Sequence, residues 1–520
     1  MANLSLLQQF KLLCLGNVLK EPSFLKVDKK LKKDATYVPA FYKQPNVFKS
    51  YAFSEPEFIF DDLLDKCLES DFYNTLCLAV DLRLKYNLVY TANAIVVGAS
   101  RCRIRKDLTS RFKGIFNYFN DFILVTLKDL IKQVEYFKKI NGGLQNMPSI
   151  LKRSWAKKLA TFSLQELYSC KKYRLGTKKL IKLTHAKGQY ITEFTQGKKP
   201  QGFTIGDLDT KANFKTIFYS GNLDHKLLLD NVVEVFSYYN EQDFCLDYLN
   251  KIDKTFSSAN FSPIDYVKYI DKIDEAENLN FKKLILKYVN NCFYRSITKQ
   301  KKIKQKTLCI IDGSYDARYT PSSNVGVATG SFGKYNNFYL NCLYGLLTCK
   351  RFTDSDICFF SDGYKKEDST LIVDPIPFAE YHLHHDNFTG MCSYGIYPAL
   401  MEIILNKEHY DNIYIFSNRQ AMLGSLTVPS SETEFKNSGF AIKNTVAGHD
   451  YYKVDVAGLI NTYRFKVNKN VNVISVKSCS KKQYSLPEVA YRCSILNGLS
   501  GKEIEYSIAI NEFWDSVDKG

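Results

Sequence analysis

The chain has 520 residues, which is too long for one ordinary hydrophobic core and predicts two or three domains. Apolar residues make up 45% and charged residues 24%, a composition typical of soluble globular proteins, and the sequence contains no run of about 18 apolar residues that could span a membrane. The 14 cysteines are scattered without any C-x-x-C pair, which argues against a disulfide framework or a zinc site and favours a reducing cytoplasm.

Positive charge is concentrated in one part of the chain. The formal net charge is +17, which indicates an anionic partner, most simply a nucleic acid, although an AT-rich genome would also enrich lysine. Residues 151–200 hold 13 Lys and Arg against two Glu, a net charge of +11, and residues 101–113 form a second basic cluster. A local surplus of this size favours a nucleic-acid-binding surface over a compositional bias.

The first 300 residues predict mostly helices. LSLLQQFKLLCLGNVL has Gln and Lys inside its apolar pattern, so it is interpreted as an amphipathic helix rather than a signal peptide. FILVTLKDLIKQVEYFKKI, residues 122–140, has the apolar spacing of one helix face, and Ser262, Pro263 and Asp265 form a helix-start signal. Successive amphipathic helices predict a helical-repeat array, which ends in a polar, lysine-rich connection over residues 295–306.

After residue 306 short apolar runs alternate with helical stretches. TLCIID, ICFFSD, NIYIFS and VNVISV predict strands, and the segments between and after them predict helices, including YGIYPALMEIILNKE and KEIEYSIAINEFWDSV. Such nearly continuous apolar strands predict a doubly wound parallel sheet that is covered on both faces. Ligands bind beyond the carboxyl ends of such strands, where Asp312 lies.

The loop after the first strand carries oxygen ligands at alternating positions. Asp312, Ser314 and Asp316 form D-x-S-x-D, which suits a hard cation such as Mg²⁺. The pattern resembles the D-x-S-x-S metal-ion-dependent adhesion site (MIDAS) of von Willebrand factor A domains, with Asp316 in place of the second Ser. The resemblance implies a further ligand from Thr389 and places a neutral Asn418 where the family has an Asp. It implies Mg²⁺ or Mn²⁺; the alternative is that Asp312 only caps the loop.

The stretch KRSWAKKLATFSLQELYSCKKYRLGTKKLIKLTHAKG resembles the RNA-binding (TROVE) module of the Ro autoantigen family. Trp155 matches the tryptophan of that module, and LIKLTHAK, residues 180–187, matches its segment K-D-L-L-R-L-[ST]-H-x-K. The family places a von Willebrand factor A domain after this module, in the order found here. The resemblance therefore covers nearly the whole chain, although the first hundred residues match weakly.

The resemblance implies a ring of paired, HEAT-like helices that the A domain closes. In the family the outer surface of the ring binds a small structured non-coding RNA, and the central hole takes single-stranded 3′ ends of defective RNAs. Carried over residue by residue, the RNA contacts come from Lys171 or Lys172, from Arg174 and from His185. The residue chemistry agrees, because Lys182 and Lys187 can neutralise phosphates and His185 can donate to a phosphate or stack on a base. A histidine buried at a helix end is the alternative.

Other functions have weaker support in the sequence. A protein-interaction scaffold would use the A-domain metal without specific RNA binding. A phosphatase would use Asp207 and Asp209 of GDLDT, but no buried strand precedes them, and a nuclease would use Asp312 and Asp316. The motif YHLHHD, with His382, His384, His385 and Asp386, is interpreted as a strand with alternating histidines, which could also bind zinc or nickel adventitiously.

The sequence thus predicts an N-terminal all-α helical-repeat ring over residues 1–305 and a C-terminal doubly wound α/β von Willebrand factor A domain over residues 306–520. The expected function is that of a non-catalytic, cytoplasmic RNA-binding protein, monomeric within a ribonucleoprotein and without a membrane span. The expected partners are a small non-coding RNA and a protein that docks on the metal-bound A domain.

Overall fold

The structure is a computed structural model of the chain. It describes residues 4–16, 56–102, 109–169, 174–198, 215, 218–219, 223–258, 261–313, 337–361, 364–369, 372, 374–385, 394–417, 433–446, 449–477, 491–497 and 501–519. Within these residues two regions differ in structure: helices up to residue 298, and a mixed sheet with covering helices from residue 303 onward.

The first region is all-α, as predicted. Its helices are α1 (Leu6–Leu15), α2 (Pro56–Ser70), α3 (Phe72–Leu84), α4 (Val89–Arg101), α5 (Thr109–Ile123), α6 (Leu127–Asn141), α7 (Ser149–Thr161), α8 (Leu164–Ser169), α9 (Arg174–Thr184), α10 (Gln189–Gln196), α11 (His225–Tyr238), α12 (Gln242–Thr255), α13 (Pro263–Asp274) and α14 (Lys282–Thr298). Helices close in sequence pack on one another, as α3 does on α4 and α13 on α14.

The helix-start signals decide where the helices begin. Asp265 accepts hydrogen bonds from the backbone N–H and the hydroxyl of Ser262, so the predicted start of α13 is confirmed. The prediction of one helix over residues 122–140 is wrong. Thr126 and Asp129 form a capping box there, so α5 ends at Ile123 and α6 begins at Leu127. The apolar spacing continues across the break because both helices face the same core.

The predicted linker is also largely wrong. Helix α14 continues to Thr298 and the first strand begins at Ile303, so only residues 299–302 connect them. Residues 295–298 extend the amphipathic helix, with Ser296 buried. The sheet therefore begins shortly before residue 306.

The second region contains a six-stranded sheet of order β3-β2-β1-β4-β7-β8. All pairs are parallel except β2 with β3, which is antiparallel. The strands are β1 (Ile303–Asp312), β2 (Phe352–Phe360), β3 (Tyr364–Asp368), β4 (Asn412–Phe416), β7 (Asn472–Lys477) and β8 (Cys493–Asn497), and β5 (Ala441–Val446) and β6 (His449–Val454) form a separate hairpin. The order places a topological switch point between β1 and β4.

Helices cover both faces of this sheet. They are α15 (Asn337–Cys349), α16 (Pro375–His385), α17 (Tyr397–Leu405), α18 (Thr433–Asn437), α19 (Val456–Lys466) and α20 (Glu503–Lys519). Cys309 and Ile311 of β1 join a core with α15 and α20, whereas Leu308 and Ile310 join a core with α17 and α19. Because both faces are buried, the strand sequence is apolar throughout, and the predicted doubly wound domain is confirmed.

Residues 381–385 of the motif YHLHHD lie at the end of helix α16, so the interpretation of the motif as a strand is wrong. The helix begins at Pro375 and buries Ala379 and His382, which are three residues apart and share one face. The His382 ring stacks on Phe359, with 4.8 Å between ring centroids. This histidine packs in a core.

Both ends of the helical series contact the sheet domain. At the start, α1 packs on α20, and a Cβ on Gly16 would lie 3.0 Å from the carbonyl oxygen of Ile495. At the other end, α14 leads into β1, and residues 84–87, 261–264 and 296–300 line a cavity of about 480 Å³ together with residues of α15 and α20. The first and the last described helices of the series thus both adjoin the sheet domain, as a ring closed by the A domain requires.

Most of the cysteines that the structure describes are buried. Burial raises the pKa of the Cys358 thiol to about 12 and the pKa values of Cys67 and Cys292 to about 11. These three thiols therefore remain protonated at neutral pH and act as small apolar side chains. In the described part of the chain no helix is long and apolar enough to span a membrane.

Candidate nucleic-acid interface and metal-binding loop

Helix α9 carries the second part of the basic motif and separates its residues by face. Thr177, Leu180 and Ile181 are buried, whereas Lys179 and Lys182 are exposed to solvent. Lys178 lies between the two faces, with its Nζ 5.9 Å from the centre of the Phe194 ring of α10. The apolar residues that match the family motif therefore anchor the helix, and the lysines between them remain available to a phosphate backbone.

His185 ends this helix in a left-handed conformation, with φ of 54°. The N–H of Ala186 donates to the carbonyl oxygen of Ile181, at 3.3 Å, which is the Schellman pattern of a helix end. Ala186 is buried, and His185 is exposed. The alternative of a buried helix-end histidine is therefore wrong, and the backbone holds the imidazole at the surface.

Further cations lie beside α9. Lys187 is exposed two residues after His185, and Arg153 and Lys157 are exposed on α7, which packs on α9. The exposed side chains of Arg153, Lys157, Lys179, Lys182, His185 and Lys187 are called the basic surface below. Arg153 and Lys157 were not among the predicted contacts, although their i, i+4 spacing on a helix already placed them on one face.

Several predicted RNA contacts lie outside the described residues. They are Lys171 and Lys172, together with Arg103, Arg105 and Lys106 of the second basic cluster. Arg174 is the first residue of α9, but its side chain is not described.

Trp155 has a structural position rather than an exposed one. It is fully buried, packs edge-on against Phe137 at 6.3 Å between ring centroids, and donates from Nε1 to Oε1 of Gln133 at 2.7 Å. Gln133 donates in turn to the side-chain oxygens of Asn93 and Asn120, at 3.0 and 2.8 Å. Trp155 thus fixes α7, and with it Arg153 and Lys157, against the interior of the helical region.

These contacts belong to a buried polar network that joins α3 to α7. Its members are Arg83, Asn93, Asn120, Asp129, Gln133, Ser154 and Trp155. Asp129 is fully buried and accepts from Arg83 Nε and Nη2 at 2.7 and 3.0 Å, from Asn93 at 3.1 Å and from Thr126 at 2.7 Å. Since each buried polar group lowers stability unless it is paired, the network permits one arrangement of these helices.

The predicted metal-binding loop begins at the switch point of the sheet. Asp312 ends β1, is 2% exposed, and accepts a hydrogen bond on Oδ2 from the Ser417 hydroxyl at 2.8 Å. Ser417 follows β4, so the carboxyl ends of the two central strands meet at this carboxylate. The backbone N–H of Gly313 donates to the carbonyl oxygen of Phe360 at 2.8 Å, which starts the loop close to β2.

The described residues at the carboxyl ends of β1 and β4 supply some of the oxygen ligands that a hard cation would need. Asn341 of α15 donates to the carbonyl oxygen of Phe416 at 3.3 Å, and its own buried Oδ1 has no hydrogen-bond partner among the described residues. Oxygen atoms of Asp312, Ser417 and Asn341 thus lie around one edge, and oxygen is the ligand that Mg²⁺ and Mn²⁺ prefer. Ser314, Asp316, Thr389 and Asn418 lie outside the described residues. Within the described ranges, no three His, Cys, Asp or Glu residues are grouped to hold a metal.

Of the residues that the alternative phosphatase and histidine sites would use, the structure describes only the side chain of His382. Asp207 and Asp209 lie outside the described residues, as does Asp386, and the side chains of His384 and His385 are not described. His382 Nε2 lies 3.5 Å from Glu367 Oε2, inside its aromatic packing. The described part of YHLHHD is therefore a helix-packing motif.

The fold defines an all-α series closed by a doubly wound domain of the von Willebrand factor A type. The structure is similar to that of the Ro (RSR) protein of Deinococcus radiodurans, with a TM-score of 0.58 and 9% sequence identity, and the match covers 86% of this chain and 94% of that chain. No protein-family model matches the sequence, and no curated protein matches it. The fold that the two motifs predicted, that of a Ro protein, is thereby confirmed by structure where sequence identity is low.

Proposed function

We propose that this protein binds a small structured non-coding RNA through the basic surface. The observation that carries the proposal is the exposure of Lys179, Lys182, His185 and Lys187 on one helix end and the turn after it. Lysines neutralise phosphates, and an imidazole held at a helix end donates to phosphate or stacks on a base. The Ro-like fold supports the same function, because the RNA-binding motif and the basic surface coincide in it.

The proposed role is that of a non-catalytic ribonucleoprotein component in the cytoplasm. It would act in RNA quality control, by taking the single-stranded ends of misfolded RNAs, or as a scaffold tethered to its RNA. Proteins recognise an RNA duplex mostly by its shape and through its phosphates and 2′-hydroxyls, and the exposed cations of the basic surface suit such contacts.

Cross-linking of RNA to the protein in its own cells, followed by sequencing, tests this proposal. We expect enrichment of one or a few short structured RNAs, whose affinity for the purified protein falls steeply with salt, because phosphate contacts release counterions. Recovery of no RNA above a mock purification, or an affinity that is independent of salt, would contradict the proposal.

We further propose that Asp312, with Ser314, Asp316 and Thr389, holds Mg²⁺ or Mn²⁺ for docking of a protein partner. The support is the position of a buried carboxylate at the switch point, beside the hydroxyl of Ser417. A bound cation would offer an open coordination position to an acidic side chain of a partner. The chain's own part is to hold the Asp312 carboxylate in one orientation, which Ser417 does by hydrogen bonding.

Substitution Asp312→Ala is expected to weaken Mn²⁺ binding by more than about 100-fold, since loss of an outer-shell partner already lowers metal affinity 10- to 100-fold. Calorimetric titration of the full chain with Mn²⁺ measures this. The control Asp354→Ala removes an exposed aspartate of β2, whose side chain is 59% exposed, and should leave the titration unchanged. Absence of Mn²⁺ binding by the wild-type chain, or equal binding by Asp312→Ala, would disprove the metal site.

A further inference from the structure

Helices α3 and α5 expose a cluster of aromatic rings. Tyr73 of α3 is 56% exposed, and Tyr118 and Phe122 of α5 are 60% and 43% exposed. Ring centroids lie 5.0 Å apart for Tyr118 and Phe122, and 5.3 Å apart for Tyr73 and Phe119. Phe119 itself is buried and lies 5.4 Å from Tyr118, so it links Tyr73 to the pair formed by Tyr118 and Phe122.

Burial in the fold does not explain these rings. Tyr118 and Phe122 are spaced i, i+4 on the outer face of α5, whereas the inner face is held by Phe116, Phe119 and Asn120. Val125, two residues beyond the end of α5, is also 46% exposed. Single exposed apolar residues are ordinary, but a connected group of large rings in contact indicates a binding surface.

The aromatic cluster of Tyr73, Tyr118 and Phe122 adjoins the basic surface. Asp121 lies between Tyr118 and Phe122 in sequence, and its Oδ2 is 3.1 Å from the Nζ of Lys157. The buried Asn120 side chain also donates to the Ser154 hydroxyl, and this hydrogen bond holds α5 against α7. The carboxylate next to the rings is therefore offset by a lysine, and Arg153 lies one turn away on the same helix.

The carboxylate of Asp71, near Tyr73 of the aromatic cluster, already has hydrogen-bond donors. Asp71 precedes Tyr73, and its carboxylate accepts from the backbone N–H of Asn74 at 3.1 Å and from the Asn74 side chain at 2.7 Å. It caps helix α3 rather than standing free beside the rings. An anionic chain that crosses the rings toward α7 would therefore meet the cations of the basic surface.

We propose that the aromatic cluster stacks unpaired bases of the RNA whose phosphates bind the basic surface. The inference rests on the proposed function and adds to it a site for single-stranded nucleotides. Aromatic rings accept any base by stacking, whereas bases within a duplex offer no free faces. The adjoining cations favour a nucleic acid over an apolar protein segment as the occupant.

The test compares two RNAs, a blunt hairpin and the same hairpin with a 3′ tail of about eight adenosines. For the full-length chain, we expect the tail to increase affinity, and Tyr118→Ala/Phe122→Ala to reduce affinity for the tailed RNA by about tenfold or more, because stacking contributes about 1–3 kcal/mol per base and 1.4 kcal/mol corresponds to tenfold. Affinity for the blunt hairpin should stay unchanged. Both side chains are largely exposed, so the thermal unfolding midpoint should also stay unchanged.

Two controls sharpen this experiment. Phe465→Ala removes a ring that is 90% exposed on α19 of the sheet domain and should affect neither RNA. Tyr118→Phe keeps the ring and should retain tail binding. In addition, 2-aminopurine can be placed in the tail as a fluorescent base. Its fluorescence should fall when the tailed RNA binds the wild type, because stacking quenches it. The fall should be much smaller with the double variant.

The outcomes are distinct. Equal affinity of the wild type and the double variant for the tailed RNA would overturn the inference, and so would an equal loss for both RNAs, because base stacking requires unpaired nucleotides. If the wild-type chain binds neither RNA, the proposed function fails, and the inference fails with it.

Discussion

Replacement of Lys179, Lys182 and Lys187 by Ala is expected to weaken binding of structured RNA about 100-fold at near-physiological salt. All three side chains are exposed beside His185, and each phosphate contact contributes about 0.7–0.9 to the slope of log affinity against log salt concentration. The slope should therefore fall by about 2 in the triple variant. Filter binding or fluorescence anisotropy over a range of salt concentrations measures both quantities.

A control variant with the same change of charge separates a local contact from a general attraction. Lys466, Lys469 and Lys519 are exposed in the sheet domain, and their joint replacement by Ala also removes three positive charges. We expect the control to retain most of the affinity. If both triple variants lose affinity equally, net charge rather than the basic surface binds the RNA.

His185 can be tested without disturbing the helix end. Because its φ is 54°, Ala would be strained there, whereas Gly adopts this conformation freely. His185→Gly should therefore reduce RNA affinity while the unfolding midpoint changes little. A loss of stability together with full RNA affinity would assign His185 a structural role only.

Substitution Asp129→Ala is expected to lower the free energy of unfolding by about 3–5 kcal/mol. The change removes the acceptor of Arg83, Asn93 and Thr126, and it leaves the guanidinium of Arg83, whose side chain is 12% exposed, without its carboxylate. Urea unfolding followed by circular dichroism measures the loss.

The matched control is Asp121→Ala, in the neighbouring helix α5. Its ion pair with Lys157 is exposed, with side chains 51% and 70% accessible, so the loss should stay within about 1 kcal/mol. If Asp129→Ala costs no more than this control, the polar network does not determine how the helices pack.

The fold could be predicted from the sequence because its strands and helices have regular apolar patterns. The central strands β1, β2, β4 and β7 are short apolar runs, and the helices between them repeat every three or four residues. Strand β3, Tyr364–Asp368, was missed because it is an edge strand with the polar sequence YKKED, which pairs only with β2. Strand β8, Cys493–Asn497, was missed because its sequence, CSILN, lacks the nearly continuous apolar run of the central strands.

The candidate sites were predictable only in part, for a different physical reason. His185 and Asp312 stand in local motifs, and the structure gives each a definite position at a helix end and a strand end. Asn93, Gln133 and Asp129 meet only through tertiary packing, so no local spacing reveals them. The one sequence signal is their placement among apolar neighbours, as Asn93 has in VYTANAIVVG. The aromatic cluster likewise requires α3 and α5 to be brought together.

The contact of both ends of the helical series with the sheet domain has a thermodynamic consequence. An open array of helical repeats frays from its ends, since a terminal repeat has one neighbour instead of two. Here α1 rests on α20 and α14 runs directly into β1, so neither end lacks a neighbour. Weaker pairing between β1 and β4 should therefore promote fraying at both ends of the helical series at once. Helices far from the sheet should then lose their protection against amide hydrogen exchange at the same time as the sheet does.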